Sequence, residues 1–282
     1  MKKAVVTTFH EAGYSSYGKR MIKTFLENWP KDITLYVYPE DHKVEEVANN
    51  LIVRDLHSSC PDLVAFKNKW KNDPKASGRL VTPEFKPQEA RDGYAFRWDA
   101  VRFSNKVYAV CHAAANCDAD VLYWMDADMV CHSPIPHHFI DKMSDQTIGL
   151  GFLGRPKKFT ECGLYSMNLK DKNTQEFLVE FKKAYDTDRL FGFAEFNDCW
   201  VFDEVRKEVK ARHPEWKWND WCLNLGDLRA SPLNSIGEGH PLINSAWGAY
   251  LDHLKGKRKD TGKSNRKDLK VVRSEKYWTT LR

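Results

Sequence analysis

No stretch of the 282 residues comes near the eighteen or more consecutive apolar positions of a membrane-spanning helix, so no span of that kind is expected. The N-terminal MKKAVVTTFHEAG carries two lysines but only a short apolar run, too short for the hydrophobic region of a signal peptide. It reads as a first strand. The seven cysteines form no C-x-x-C pair and no regular framework. Reduced thiols in a cytoplasm are therefore the expectation. Cys111-His112, Cys117 and Cys131-His132 match no compact zinc spacing. Internal repeats and low-complexity tracts are missing, and nothing marks an interior linker, which favours one domain. A glycine-rich phosphate loop is also missing, since EAGYSSYGKR is a poor one; a nucleotidyltransferase would be expected to carry such a loop early in the chain.

What is present is ordinary in bulk and uneven in distribution. Charged residues make up 29% and apolar residues 42%, the balance of a globular protein. Ten tryptophans suit either core packing or stacking on sugars and bases. The net charge is +5, yet Lys255 to Lys276 holds ten Lys/Arg against three Asp/Glu, a net of +7 that leaves −2 for the remainder. A basic terminal segment of this kind points to a polyanionic partner or to a solvated tail.

The patterning predicts alternating strands and helices. AVVTTF (4–9), ITLYVY (33–38) and LIVRDL (51–56) read as strands, and Ser15 to Trp29 reads as a helix that Pro30 stops. In that helix Tyr17, Met21, Ile22, Phe25 and Leu26 share an apolar spacing. Residues 72–93 read as a loop. Trp98 to Ala115 reads as a helix whose apolar stripe leaves Asp99, Arg102 and Lys106 elsewhere, with Lys106 on its surface. IGLGFLG (148–154) and GLYSMNL (163–169) follow as strands, and 171–186 and 199–209 as helices. This order argues for an α/β domain with a mostly parallel sheet flanked by helices.

The sharpest signal is CDADVLYWMDADMV. Val121 to Met125 is apolar at every position, which fits a central strand covered on both faces. Such a strand spans roughly 17 Å, so the two Asp-Ala-Asp copies fall at opposite ends of it. Ligands of open α/β sheets bind beyond the carboxyl ends of the strands. Asp118-Ala119-Asp120 therefore reads as a solvated turn, and Asp126-Ala127-Asp128 as the pair placed for chemistry.

With YAFRWDAVRF upstream of that strand, the chain resembles the nucleotide-sugar half of a GT-A-fold glycosyltransferase. TECGLYSMNL is similar to a segment of the retaining family that includes glycogenin and bacterial galactosyltransferases, and His253-Leu-Lys-Gly256-Lys-Arg-Lys259 matches that family's H-x-x-G-x-x-K. There are departures. Glu161 stands where the family usually has Asn, Asp260-Thr261 replaces a Pro-Trp, and Phe196-Asn197-Asp198 replaces D-Q-D.

The resemblance implies a GT-A (Rossmann-like) fold with a C-terminal extension. Residues 1–130 would form the nucleotide-sugar half, 131–250 the acceptor half, and 251–282 a basic segment that orders over the donor. It implies a metal-dependent transfer from a nucleotide-sugar, a UDP-sugar above all, with retention. Asp126, Asp128 and His253 would hold Mn²⁺ (or Mg²⁺), since carboxylates with one imidazole suit such a cation. Thr7, Thr8, Phe9 and Tyr14 would receive the base. Ala127, Gly256 and Lys259 would complete the donor site, and Arg97 would lie near the donor sugar. Glu161 and Asp198 are the acceptor-side candidates, and Asp198 reads equally as a helix cap. The acceptor stays open between a glycan and a hydroxymethylated pyrimidine in DNA, the latter gripped through residues 255–276. A nucleic-acid-binding protein without catalysis would account for the basic segment but not for the two motifs.

Overall fold

The computed structural model describes residues 1–79, 92–155, 159–222 and 240–280. Among these, nine strands form: β1 (Lys3–His10), β2 (Thr34–Glu40), β3 (Leu51–Val53), β4 (Val121–Met125), β5 (Met129–Cys131), β6 (Leu150–Leu153), β7 (Glu161–Asn168), β8 (Trp218–Asp220) and β9 (Leu251–His253). Seven make one sheet in the order β3-β2-β1-β4-β7-β6-β8. β1 pairs in parallel with β2 and β4, β2 with β3, and β6 with β8; β7 alone runs against its neighbours β4 and β6. The mostly parallel α/β sheet expected from the sequence is what forms. Most of the loop expected over 72–93 lies outside the described residues.

β4 sits in the middle of the sheet, and all five of its residues are buried. Because side chains alternate across a strand, Leu122 and Trp124 join the core on one face, with the helices Ala100–Asn116, Lys172–Asp186 and Asp198–Arg212. Val121, Tyr123 and Met125 join the other, with the helix Lys19–Asn28 and Trp29, Trp221 and Trp247. Two covered faces are the reason for an unbroken apolar run. Six of the ten tryptophans (Trp29, Trp124, Trp216, Trp221, Trp247 and Trp278) are buried, so most of the indole content is core.

Local chemistry sets the helix starts. Asp99 accepts from the Arg102 amide at 2.9 Å and begins the long helix two residues later than its pattern suggests. The first helix departs further from expectation. His10 caps a short turn at Glu11–Gly13, a π-helical turn spans Tyr14–Gly18, and regular α-helix begins only at Lys19.

The C-terminal segment, expected to order around a donor, is held by its own contacts. Ser264 donates twice to Asp252, the Tyr277 hydroxyl donates to the same carboxylate at 2.8 Å, and Arg258 pairs with Asp268. Arg273 donates to the carbonyls of Ile243 and Ser245. These pairings absorb charges that the sequence assigned to solvent or to a polyanion.

Candidate active site

The site gathers where β4 ends. The Asp126 amide donates to Gly163 O at 2.8 Å, tying the strand end to β7. After Asp128 the chain enters β5, which pairs antiparallel with β9 and sets Met129 opposite His253. The Leu254 amide then donates to Asp128 O at 2.9 Å. This two-stranded ribbon carries a residue from near the C-terminus to the carboxylates of Asp126-Ala127-Asp128.

Ligand atoms of Asp126, Asp128 and His253 all lie within 4.8 Å of one another. His253 is fully buried. Its Nε2 lies 3.0 Å from Asp128 Oδ1 and 3.5 Å from Asp126 Oδ2, yet neither ring nitrogen has a partner in hydrogen-bonding direction. Distance is satisfied and direction is not, so a buried lone pair and two carboxylates face a common point. Such a set fits a hard divalent cation. A second group, Cys162, Asp198 and Cys199, is equally close. There Lys106 already neutralises Asp198, and burial pushes the Cys162 thiol well above its ordinary value, so that group fits a cation poorly.

Two lysines flank the carboxylates. Lys106 Nζ lies 3.2 Å from Asp126 Oδ1 and 2.6 Å from Asp198 Oδ2, donates to Cys162 O, and stands 4.6 Å over the Trp124 ring. It is no surface lysine: it is 8% exposed, with Ser104 and Asn105 buried beside it. Burial opposes its charge, but Asp126 and Asp198 outweigh burial and hold its pKa well above the ordinary value. Lys259 Nζ lies 3.0 Å from Asp128 Oδ2 and 4.5 Å over the Tyr17 ring. Burial lifts the Asp126 carboxyl, whereas at Asp128 burial is overcome by His253 and Lys259, which hold it well below the ordinary range.

Above this floor opens a cleft of about 1060 Å³. Thr8, Phe9, Ala127, Asp198 and Lys259 line it, together with Tyr17, which the sequence assigned to the apolar face of a helix. The π-helical turn is what changes that residue's facing, and such turns frequently mark functional sites.

Thr7, Tyr14, Arg97 and Glu161 stand away from the cleft lining. Thr7 is wholly buried and does not line the cleft; the alternation of β1 turns Thr8 outward instead. Tyr14 is buried, with its hydroxyl donating to Glu46 at 2.8 Å and its ring stacked on Phe9. Arg97 pairs with Glu195 at 2.7 Å and lies over the Phe159 ring rather than on the cleft wall. Glu161 is 2% exposed and clamped by Lys255, so it also stands off the cleft. Burial opposes its charge, but Lys255, His253 and Arg155 hold its carboxyl well below the ordinary range. Asp198 is not the helix cap, since Asn197 accepts from the Trp200 amide at 3.0 Å. Gly256 takes a left-handed conformation, φ 58°, which favours glycine, and a β-carbon there would meet only open space.

No protein-family model matches the chain, and no curated protein matches it. Solved structures do. Xyloside xylosyltransferase 1 from mouse, in its apo form, aligns at 11% identity and a TM-score of 0.51, over 90% of this chain and 98% of that one. The glycosyltransferase GlyE of Streptococcus pneumoniae TIGR4 aligns at 12% identity and a TM-score of 0.50, over 99% of this chain and 59% of that one. At such identities the likeness is one of fold, and the chain has the α/β, Rossmann-like GT-A fold of glycosyltransferases.

Proposed function

We propose that this protein is a metal-dependent glycosyltransferase, moving a hexosyl or pentosyl group from a nucleotide-sugar, in the first instance a UDP-sugar, to a hydroxyl of a saccharide acceptor. The observation that carries the reading is the convergence of Asp126, Asp128 and the undirected nitrogen of buried His253 beneath a cleft flanked by Lys106 and Lys259. The motifs shared with the retaining family and the glycosyltransferase fold of the structural neighbours point the same way.

Asp126, Asp128 and His253 would hold Mn²⁺ or Mg²⁺. When bound, such a cation supplies Lewis-acid stabilisation to a departing diphosphate. Lys259 is paired with a carboxylate that would then be a ligand, and it exchanges that partner for phosphate oxygen as the donor enters. Thr8, Phe9 and Tyr17 line the part of the cleft that would take the nucleoside. Asp198 borders the cleft, but its Oδ2 is engaged by Lys106 at 2.6 Å and not turned to an acceptor hydroxyl. That favours transfer with retention, in which the leaving phosphate accepts the acceptor's proton and Lys106–Asp198 serves to orient and to balance charge.

The competing nucleic-acid acceptor loses support from the C-terminal segment. Lys255, Arg258, Lys259, Lys263 and Arg273 are each engaged within the fold, five of the ten cations that the segment offers.

The test is release of UDP from a panel of UDP-sugars with Mn²⁺, with and without saccharide acceptors, alongside the shift in melting temperature that each donor produces. Release and stabilisation by one donor are expected. No release and no stabilisation by any donor overturns the reading.

A further inference from the structure

Glu161 departs from the family pattern, and the sequence offers it only as an acceptor-side group. Its surroundings say otherwise. It is 2% exposed and does not line the cleft. Both carboxylate oxygens accept from Lys255 Nζ. Oε1 also accepts from the Gly163 amide at 3.3 Å and lies 3.7 Å from His253 Nδ1, while Arg155 stands 3.9 Å from Oε2. The chain on the far side of the carboxylate is thus His253 and Lys255, two residues apart and therefore on one side of an extended segment.

We infer that Glu161 is a positioning residue for the metal site, clamping His253 and Lys255 together so that His253 Nδ1 faces a carboxylate and Nε2 faces Asp126 and Asp128. The inference rests on the metal-site reading above. A histidine that ligates a cation through one nitrogen commonly has a carboxylate behind the other, which fixes tautomer and ring orientation. The surroundings leave the ring little choice. The Leu254 amide is bound to Asp128 O, His240 Nε2 donates to His253 O at 2.6 Å, and the ring packs against Gly163, where a β-carbon would come within 2.5 Å of Cε1. Backbone contacts thus hold the segment, and Glu161 is the charged group behind Nδ1, as Asp126 and Asp128 are the charged groups before Nε2. The family's Asn at this position would present a neutral amide. The Glu161–Lys255 pair adds a latch between β7 and the residues after β9.

The experiment measures Mn²⁺ affinity by titration calorimetry, with melting curves, for wild type, Glu161→Gln, Glu161→Asp and Asp120→Asn, a control at the far end of β4 that should bind Mn²⁺ as wild type does. The His253 tautomer is read from imidazole ¹⁵N shifts in metal-free wild type and Glu161→Gln. The expected result is an Nδ1–H population in wild type that falls in Glu161→Gln, with Mn²⁺ affinity falling about tenfold or more in Glu161→Gln and less in Glu161→Asp. Wild-type affinity in a folded Glu161→Gln, or the same tautomer ratio in both proteins, overturns the inference. If Glu161→Gln does not fold, the affinity and tautomer ratio of Glu161→Asp decide. If wild type itself binds no Mn²⁺, the metal reading has failed, and the tautomer still reports on the clamp separately.

Discussion

The His253 ring occupies the space into which a side chain on Gly163 would grow. A β-carbon at Gly163 would stand 2.5 Å from His253 Cε1 and 2.7 Å from Nδ1. Neither residue can retreat, because Gly163 O accepts from Asp126 and the residue after His253 is bound to Asp128. Gly163→Ala is expected to cost about 1–3 kcal/mol as overpacking and to weaken Mn²⁺ binding by displacing the ring. Melting curves and Mn²⁺ titration check this, and unchanged metal affinity would mean that the ring relaxes elsewhere.

The two Asp-Ala-Asp copies make a matched control. Asp128 is paired with His253 and Lys259 beneath the cleft, whereas Asp120 accepts from the Lys2 amide at the opposite end of β4. Asp128→Ala is expected to abolish UDP release and metal-dependent donor binding. Asp120→Ala is expected to leave both intact and to change stability by no more than about 0.5 kcal/mol. Equal loss of activity in folded Asp120→Ala would put the site at the wrong end of the strand.

Lys106 neutralises the buried Asp198 and the half-buried Asp126 at once. Lys106→Met leaves Asp126 and Asp198 facing each other's field without a cation, at a cost of about 3–5 kcal/mol. Adding Asp198→Asn should recover part of that stability but not transfer. A double variant as unstable as the single one would show that Lys106 is held by packing rather than by charge.

Acid should loosen the C-terminal packing through His132. Its ring stacks on Tyr277 at 3.9 Å, and burial lowers its pKa from 6.5 to about 4; Asp252 and Glu275 oppose the shift, and Arg273 adds to it. The folded state therefore binds fewer protons than the unfolded state between these values. Stability is full above pH 6.5 and falls as pH drops towards 4. His132→Gln should flatten the melting-temperature profile over that window; an unchanged profile assigns the acid response to another group.

Arg273 and its neighbours divide the basic segment into structural and solvent-facing charges. Arg273 holds Ile243 O and Ser245 O, while Arg266 and Lys267 are exposed. Arg273→Gln is expected to lower the melting temperature, and Arg266→Gln with Lys267→Gln is not. If duplex DNA were the acceptor, the latter pair would reduce the slope of log K against log salt by up to ~2. With a saccharide acceptor, transfer by the double variant should match wild type at every salt concentration.

Much of this protein is written locally. Five apolar residues ending in Asp126-Ala127-Asp128 specify a covered strand and the end at which ligands collect, because burial on both faces is a property of the strand itself. Caps such as Asp99 and Asn197 are equally local, since a side-chain acceptor needs only the amides one turn ahead. His253 was legible only as part of a motif, and its distance from Asp128 depends on β5 pairing with β9. What lay beyond the sequence depends on which elements meet. Lys106 lies off its helix's apolar stripe, yet it is buried because β4 and the start of the helix Asp198–Arg212 converge on that side. Tyr17 reaches the cleft through a π-helical turn, Gly163 matters for a ring from another strand, and Glu161 meets Lys255 across the domain. Periodicity reports which side of an element is buried, but only the tertiary structure decides what it is buried against, and the charge partners at this site are all of that second kind.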